Sequence, residues 1–305
     1  MITISAWSVR AVVLTSLLLG ARGAWAGLNV FACEPEWGAL ATELGGPGTT
    51  VYVATTALQD PHHVDARPSL IARLRRAELV VCTGAELEVG WMPVLLRQAA
   101  NPRVQPGQPG YFAAAEQVHM LELPSRLDRA EGDVHPYGNP HIQTDPRNIA
   151  LVATAMAQRM AELDPANAAT YRQRYQDFAQ RWTQAISRWQ EQAATLKGVP
   201  IVVQHKSWVY LTHWLGLNEV AALEPKPGIP PSSAYLAEVL EQLRSHPARM
   251  VVHAAYQDPR ASKWLSERAG IPAVELPFTV GGAPGADDLF GLFDVTIARL
   301  REAAP

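Results

Sequence analysis

Along this chain, short apolar runs alternate with longer stretches in which apolar residues recur every three or four positions. In the first third, apolar runs at 28–31, 50–53 and 79–82 are interleaved with helical spacing over 34–44, 68–76 and 87–99. Apolar runs of about four residues bounded by turn signals suit strands buried on both faces, and their alternation with helical segments predicts parallel βα units. The same order resumes with strands expected at 200–204, 219–223, 250–253 and 273–276, and helices at 207–215, 233–244, 258–269 and 287–301. Between the two series lie two helical stretches. The first, ending near Leu163, is opened by Asp145 and Pro146, a capping residue followed by a proline that needs no N–H in a first turn. The second runs from about 165 to 197 and carries Tyr171, Tyr175, Phe178, Trp182, Ile186 and Trp189 along one face, a stripe that fits core packing. The pattern therefore predicts an α/β protein of two doubly wound (β/α) lobes, 27–145 and 198–305, joined by long rigid connector helices over 146–197. Residues 101–110 and 121–145 read as loops, the latter long enough to be functional.

Composition narrows the setting. With 305 residues, 48% of them hydrophobic and 18% charged, the chain can bury the cores of two lobes. A formal net charge of -3 gives no basic field for nucleic acid or an anionic membrane. Residues 1–26 read as a secretory signal peptide: Arg10, an apolar run over 11–19, then small residues ending in Ala24-Trp25-Ala26. The run is shorter than the roughly 20 residues that span a bilayer, so cleavage after Ala26 and a soluble periplasmic protein are expected. Cys33 and Cys82 each close an apolar strand-like run. In an oxidising compartment they form either a disulfide or a pair of buried thiols, and spacing does not decide between these.

Three histidines sit where strands or loops meet helices, in separated parts of the chain: Asp60-Pro61-His62, Gly138-Asn139-Pro140-His141 and Val202-Val203-Gln204-His205. In open α/β sheets ligands bind beyond the carboxyl ends of the strands, so facing lobes place such imidazoles around one cleft. A lone histidine is most simply a hydrogen-bonded loop or core residue, whereas three at matching positions point to one metal ion. His63 competes with His62, because adjacent side chains on extended backbone point to opposite sides. His135 and His119 belong to or flank the long loop and read as spectators or weak metal collectors; His213, His246 and His253 read as structural. The chain contains no GxSxG, HExxH or GxxxxGK[ST] segment, so turnover chemistry is not expected.

Four segments in order resemble those of the metal-binding substrate-binding proteins of ABC transporters: Asp60-Pro61-His62-His63-Val64-Asp65-Ala66-Arg67-Pro68-Ser69, Ala77-Glu78-Leu79-Val80-Val81-Cys82-Thr83-Gly84, Asn139-Pro140-His141-Ile142-Gln143-Thr144-Asp145-Pro146 and His205-Lys206-Ser207-Trp208. The resemblance covers essentially all of the chain after residue 26. It implies metal ligation by His62, His141 and His205, no enzymatic activity, and an ABC permease as partner; a monomer is expected, and a periplasmic metallochaperone is a further candidate partner. The carboxylate that relatives place after the last strand is missing, since this chain reads Leu276-Pro277-Phe278-Thr279-Val280-Gly281-Gly282. Asp287 is the expected fourth ligand, with Asp288 or a water as alternatives; both aspartates equally suit the start of the last helix.

Three neutral imidazoles and one oxygen suit tetrahedral Zn²⁺, the expected transported ion, whereas Mn²⁺ and Fe²⁺ prefer more oxygen donors. A manganese or iron carrier of the same family is the alternative, and a zinc-dependent hydrolase the alternative from another class. Binding displaces protons from imidazole, so metal affinity should fall as pH drops below about 6.5. Titrations across that range check this; an affinity flat with pH would exclude histidine ligation.

Overall fold

The short apolar runs assemble into two parallel sheets. In the computed structural model, which describes residues 26–124, 132–133 and 135–304, β1 (Asn29–Ala32), β2 (Thr50–Val53), β3 (Leu79–Cys82) and β4 (Tyr111–Ala113) pair in the order β2-β1-β3-β4. The second sheet repeats that order as β6-β5-β7-β8, from β5 (Pro200–Val203), β6 (Asn218–Ala222), β7 (Met250–Ala254) and β8 (Ala273–Leu276). Strands β3 and β7, flanked by a strand on each side, are buried at every residue, as uninterrupted apolar runs in parallel sheets must be. The signal peptide expected over 1–26 lies, but for Ala26, outside the described residues. Among the described residues no helix is long and apolar enough to cross a membrane.

Helices follow the strands: α1 (Pro35–Gly45), α2 (Pro68–Leu74) and α3 (Met92–Ala99) in the first lobe, α6 (Val209–Leu215), α7 (Ser233–Ser245), α8 (Arg260–Ala269) and α9 (Leu289–Ala303) in the second. Two local differences from the sequence reading have clear causes. Helix α3 begins at Met92 and not at 87, because Ala85 and Glu86 turn the chain with φ of 51° and 66°, incompatible with a right-handed helix. Strand β4 was not expected at 111–113; three residues after a proline- and glycine-rich loop are too few to display a period.

The connector is α4 (Pro146–Leu163) and α5 (Ala168–Gln192), packed side by side. At 25 residues, α5 is about 37 Å long. It packs on α1 of the first lobe and α9 of the second, and so ties the lobes to one rod. Its aromatic stripe is the reason: Trp182 is 1% exposed, with ring centroids 5.1 Å from Phe178, 5.2 Å from Trp189 and 4.9 Å from Phe290 of α9. The indole N–H of Trp182 donates to the carbonyl of Pro146 at 2.8 Å, fixing the start of α4 five residues past His141. Asp145 caps that start by accepting from the N–H of Arg147 at 2.8 Å.

Two further contacts hold the first lobe. A disulfide joins Cys33, just past β1, to Cys82 at the end of the neighbouring β3, with the Cα atoms 4.8 Å apart. Across the lobes, the hydroxyl of Thr279 donates to the buried carboxyl of Glu36 in the first turn of α1, a link between residues 243 apart in sequence. Burial pushes the Glu36 pKa up to about 7, against the opposing pull of this hydrogen bond. Since Trp182 joins α5 to α4 and to α9 of the second lobe, Trp182→Ala should destabilise the fold by about 3–5 kcal/mol. Chemical denaturation followed by near-ultraviolet circular dichroism measures this; a loss below about 1 kcal/mol would mean that the stripe is not the joint described.

Candidate metal centre

His62, His141 and His205 meet in one place, each offering a ring nitrogen within 4.8 Å of the others. Their ring centroids lie 5.3 Å (His62 to His141), 5.8 Å (His62 to His205) and 5.4 Å (His141 to His205) apart. Each reaches this point from the carboxyl-terminal side of a lobe's scaffold. His62 is in the loop after β2, whose backbone is held by the Trp91 indole N–H donating to the Pro61 carbonyl at 2.9 Å. His141 ends the long loop, where Gly138 has φ of +101° and a Cβ would stand 2.7 Å from the Leu121 carbonyl oxygen, so only glycine fits. His205 stands two residues past β5. The Asn139 side-chain amide donates to the Lys206 carbonyl at 2.7 Å, tying the His141 loop to the His205 loop.

Carboxylates orient two of the rings. His62 Nδ1 lies 2.8 Å from Asp60 Oδ1, and His205 Nδ1 lies 2.7 Å from Glu224 Oε2. Burial works against the Asp60 carboxylate, but the hydrogen bonds it accepts from His62 outweigh it and hold its pKa well below the usual range. Asp60 is therefore an acceptor, His62 Nδ1 carries the proton, and Nε2 is left with its lone pair. That Nε2 is buried without a hydrogen-bond partner, as is His141 Nδ1. Such atoms are costly to bury unless a ligand occupies them. Burial, reinforced by the nearby imidazoles of His62 and His205, drives the His141 pKa well below normal, so this ring is neutral and ready to ligate. His62 and not His63 joins the group: His63 is 71% exposed in its side chain and rests on the other oxygen of Asp60 at 3.3 Å.

The structure does not bring Asp287 to the histidines. Asp287 is exposed and lines a separate cleft with Thr55, Leu58, Arg174 and Val280. Asp288 is the N-cap of α9, accepting from the Gly291 N–H at 2.8 Å. The position of both at a helix start is the reason they are acidic. What lies beside the three rings instead is His135, with centroids 5.4 Å from His62 and 6.5 Å from His141. A cleft of about 650 Å³ opens on the other side, lined in part by Asp60, His62, His205, Glu224, Tyr256 and Trp264. The sequence reading passed over Asp60 and Glu224 as ring-orienting groups. Asp60 stands two residues from its histidine, but Glu224 comes from the loop after β6, 19 residues away, and only the pairing of β6 with β5 brings it near.

The family model described as "Zinc-uptake complex component A periplasmic" matches residues 30–303. The chain belongs to this family. It is accordingly a metal-binding, substrate-binding component of an ABC transporter, with a permease partner, working outside the cytoplasm. Family members are solute-binding proteins and not enzymes, which removes the hydrolase alternative. Among relatives, the "Metal ABC transporter substrate-binding lipoprotein ScbA" of Streptococcus cristatus is 21% identical over 83% of this chain and 80% of its own length. The "High-affinity zinc uptake system protein ZnuA" of Yersinia pestis is 26% identical over 79% of this chain and 80% of its own. The fold is similar to a crystal structure of ZnuA, with TM-score 0.74 at 22% identity, covering 90% of this chain and 98% of that one. It is also similar to a Mn-bound periplasmic metal-binding protein of Candidatus Liberibacter asiaticus, with TM-score 0.72 at 15% identity and the same coverage.

Burial, with the charges of His62 and His205, lowers the His135 pKa to about 4. NMR titration of the metal-free protein should therefore find His135 neutral down to about pH 4, and His62→Ala should move its midpoint upward. A His135 that titrates as a free imidazole does would mean that it stands apart from the cluster.

Proposed function

We propose that this protein captures Zn²⁺ between its lobes on His62, His141 and His205 and delivers the ion to the permease for import. The observation that carries the reading is the convergence of three imidazoles, two of which, His62 and His141, bury a ring nitrogen that has no hydrogen-bond partner. An all-nitrogen set favours zinc over manganese, which prefers carboxylate and water oxygens and a higher coordination number. Among the described residues the two carboxylates nearest in role, Asp60 and Glu224, are engaged with Nδ1 atoms of the rings and act as orienting groups. His135 stands beside His62 and His141 and is the candidate for the fourth position in place of Asp287; water is the alternative.

In this reading the first 26 residues direct export, and the protein works as a monomer organised as lobes over 27–145 and 198–305 about a connector over 146–197. It receives the ion from solution or from a periplasmic metallochaperone. Manganese remains the rival cargo, because relatives carry names of both kinds, among them the "Manganese ABC transporter substrate-binding lipoprotein scaA" of Streptococcus gordonii.

Competitive titration of chelator-stripped protein with Zn²⁺ and Mn²⁺ tests the proposal. Tight equimolar Zn²⁺ binding is expected, abolished or severely weakened by His62→Ala, His141→Ala and His205→Ala. Glu224→Gln, which keeps the shape but weakens the orientation of His205, should cost about 10–100-fold in affinity. Preference for Mn²⁺, or Zn²⁺ binding indifferent to these changes, would overturn the reading.

A further inference from the structure

The two sheets share one strand order, and in each the order reverses at the central pair, β1 with β3 in the first and β5 with β7 in the second. Such a reversal opens a crevice at the carboxyl ends of the strands, the usual ligand position of an open parallel sheet. In the second sheet that position holds His205. In the first it holds Cys33 and Cys82.

The sulfurs of these cysteines and a carboxylate oxygen of Glu88 lie within 4.8 Å of one another, and all three residues are buried. Glu88 is held in place by backbone N–H groups, Thr83 donating to Oε1 at 2.7 Å and Gly84 to Oε2 at 3.1 Å. Glu34, the residue after Cys33, is 3% exposed. Its Oε2 accepts from the Thr83 N–H and hydroxyl at 3.3 Å each, whereas its Oε1 is buried without any partner. Neither carboxyl forms an ion pair among the described residues. Glu34 and Glu88 hydrogen-bond to each other, so at least one holds a proton that a cation would replace, while Glu34 Oε1 has no partner of its own. Two sulfurs and a carboxylate oxygen around one point, with a second buried carboxyl beside it, are a donor set that zinc-class cations accept.

We propose that Cys33, Cys82 and Glu88, with Glu34 as the fourth donor, form a second cation site for Zn²⁺-class ions, closed while the disulfide is intact and opened by its reduction. The step balances as follows. A dithiol transfers two electrons and two protons to the Cys33–Cys82 bond and closes to its own disulfide, leaving two thiols on the protein. The cation then displaces both thiol protons and the carboxyl proton to solvent and forms two metal–sulfur bonds and a bond to a Glu88 oxygen. The two thiolates cancel the charge of the ion, and the Glu88 carboxylate keeps the N–H donors of Thr83 and Gly84. In the oxidised protein each sulfur spends its bonding on the other, so no thiolate exists to bind. The site is independent of the three histidines.

Co²⁺ titration of the protein from Gly27 onward tests this, with the disulfide intact and after reduction by a dithiol that is then removed by anaerobic gel filtration. The oxidised protein should show no thiolate-to-cobalt charge-transfer absorption. The reduced protein should take up an additional equivalent with that absorption, and should still do so when His62, His141 and His205 are all alanine. Glu88→Gln keeps both cysteines, the bridge and an oxygen that can accept from Thr83, and circular dichroism of the oxidised variant checks that it folds; it should weaken the added equivalent by about tenfold or more. Reduced protein that gains no thiolate-bound cobalt would overturn the proposal. So would an equally strong thiolate signal in Glu88→Gln, because it would show thiols binding without the built site.

Discussion

An imidazole can hold a metal only through a ring nitrogen that carries no proton, so the centre depends on the hydrogen bonds that decide where each proton sits. Asp60 and Glu224 accept hydrogen bonds from Nδ1–H of His62 and His205, and in the neutral rings this leaves each Nε2 with its lone pair. His141 has no such partner, and burial, reinforced by the neighbouring imidazoles, keeps it neutral. Three rings are thus set to ligate by two different means, paired carboxylates for two and exclusion of water for the third. Nothing else in the cluster would be stable without an occupant or this arrangement of protons, since buried nitrogen atoms without partners are costly.

The rest of the structure serves to bring these loops together. Parallel sheets place every loop of one kind at the same edge, and each lobe therefore delivers histidines from the carboxyl ends of its strands. The long helix α5, packed on α1 of the first lobe and, through Trp182 and its aromatic neighbours, on α9 of the second, holds the two edges on one rod. Contacts between the lobes near the cleft are few and specific. The Asn139 amide on the Lys206 carbonyl and the Tyr210 hydroxyl donating to the Asn139 carbonyl at 2.8 Å join the His141 loop to the second lobe.

Much of this was legible in the sequence because it follows from period and position. Seven of the strands are apolar runs between turn signals, and His62, His141 and His205 stand at equivalent ends of scaffold elements. Asp287 was misplaced because an acid at the start of a helix looks the same in sequence whether it caps the helix or reaches a metal; the contact of Asp288 with Gly291 shows which role applies at that corner. Glu224 escaped notice because its nearness to His205 arises from sheet pairing and not from chain distance. The cysteines were left undecided for a related reason: both end strand-like runs, but only the adjacency of β1 and β3 puts them within bonding reach.

The buried acids of the first lobe give the molecule two opposed responses to acid. Burial raises the pKa of Glu36 and Glu88 to about 7 and that of Glu34 well above the ordinary value, whereas an unfolded chain leaves all three near 4.5. Between those limits the folded protein holds protons that the unfolded chain has lost, so acidification from neutrality toward pH 4.5 makes the fold more stable through these groups. Over the lower part of the same range protons compete with metal for imidazole. Through these groups acid strengthens the frame over the range in which it opposes metal binding by imidazole.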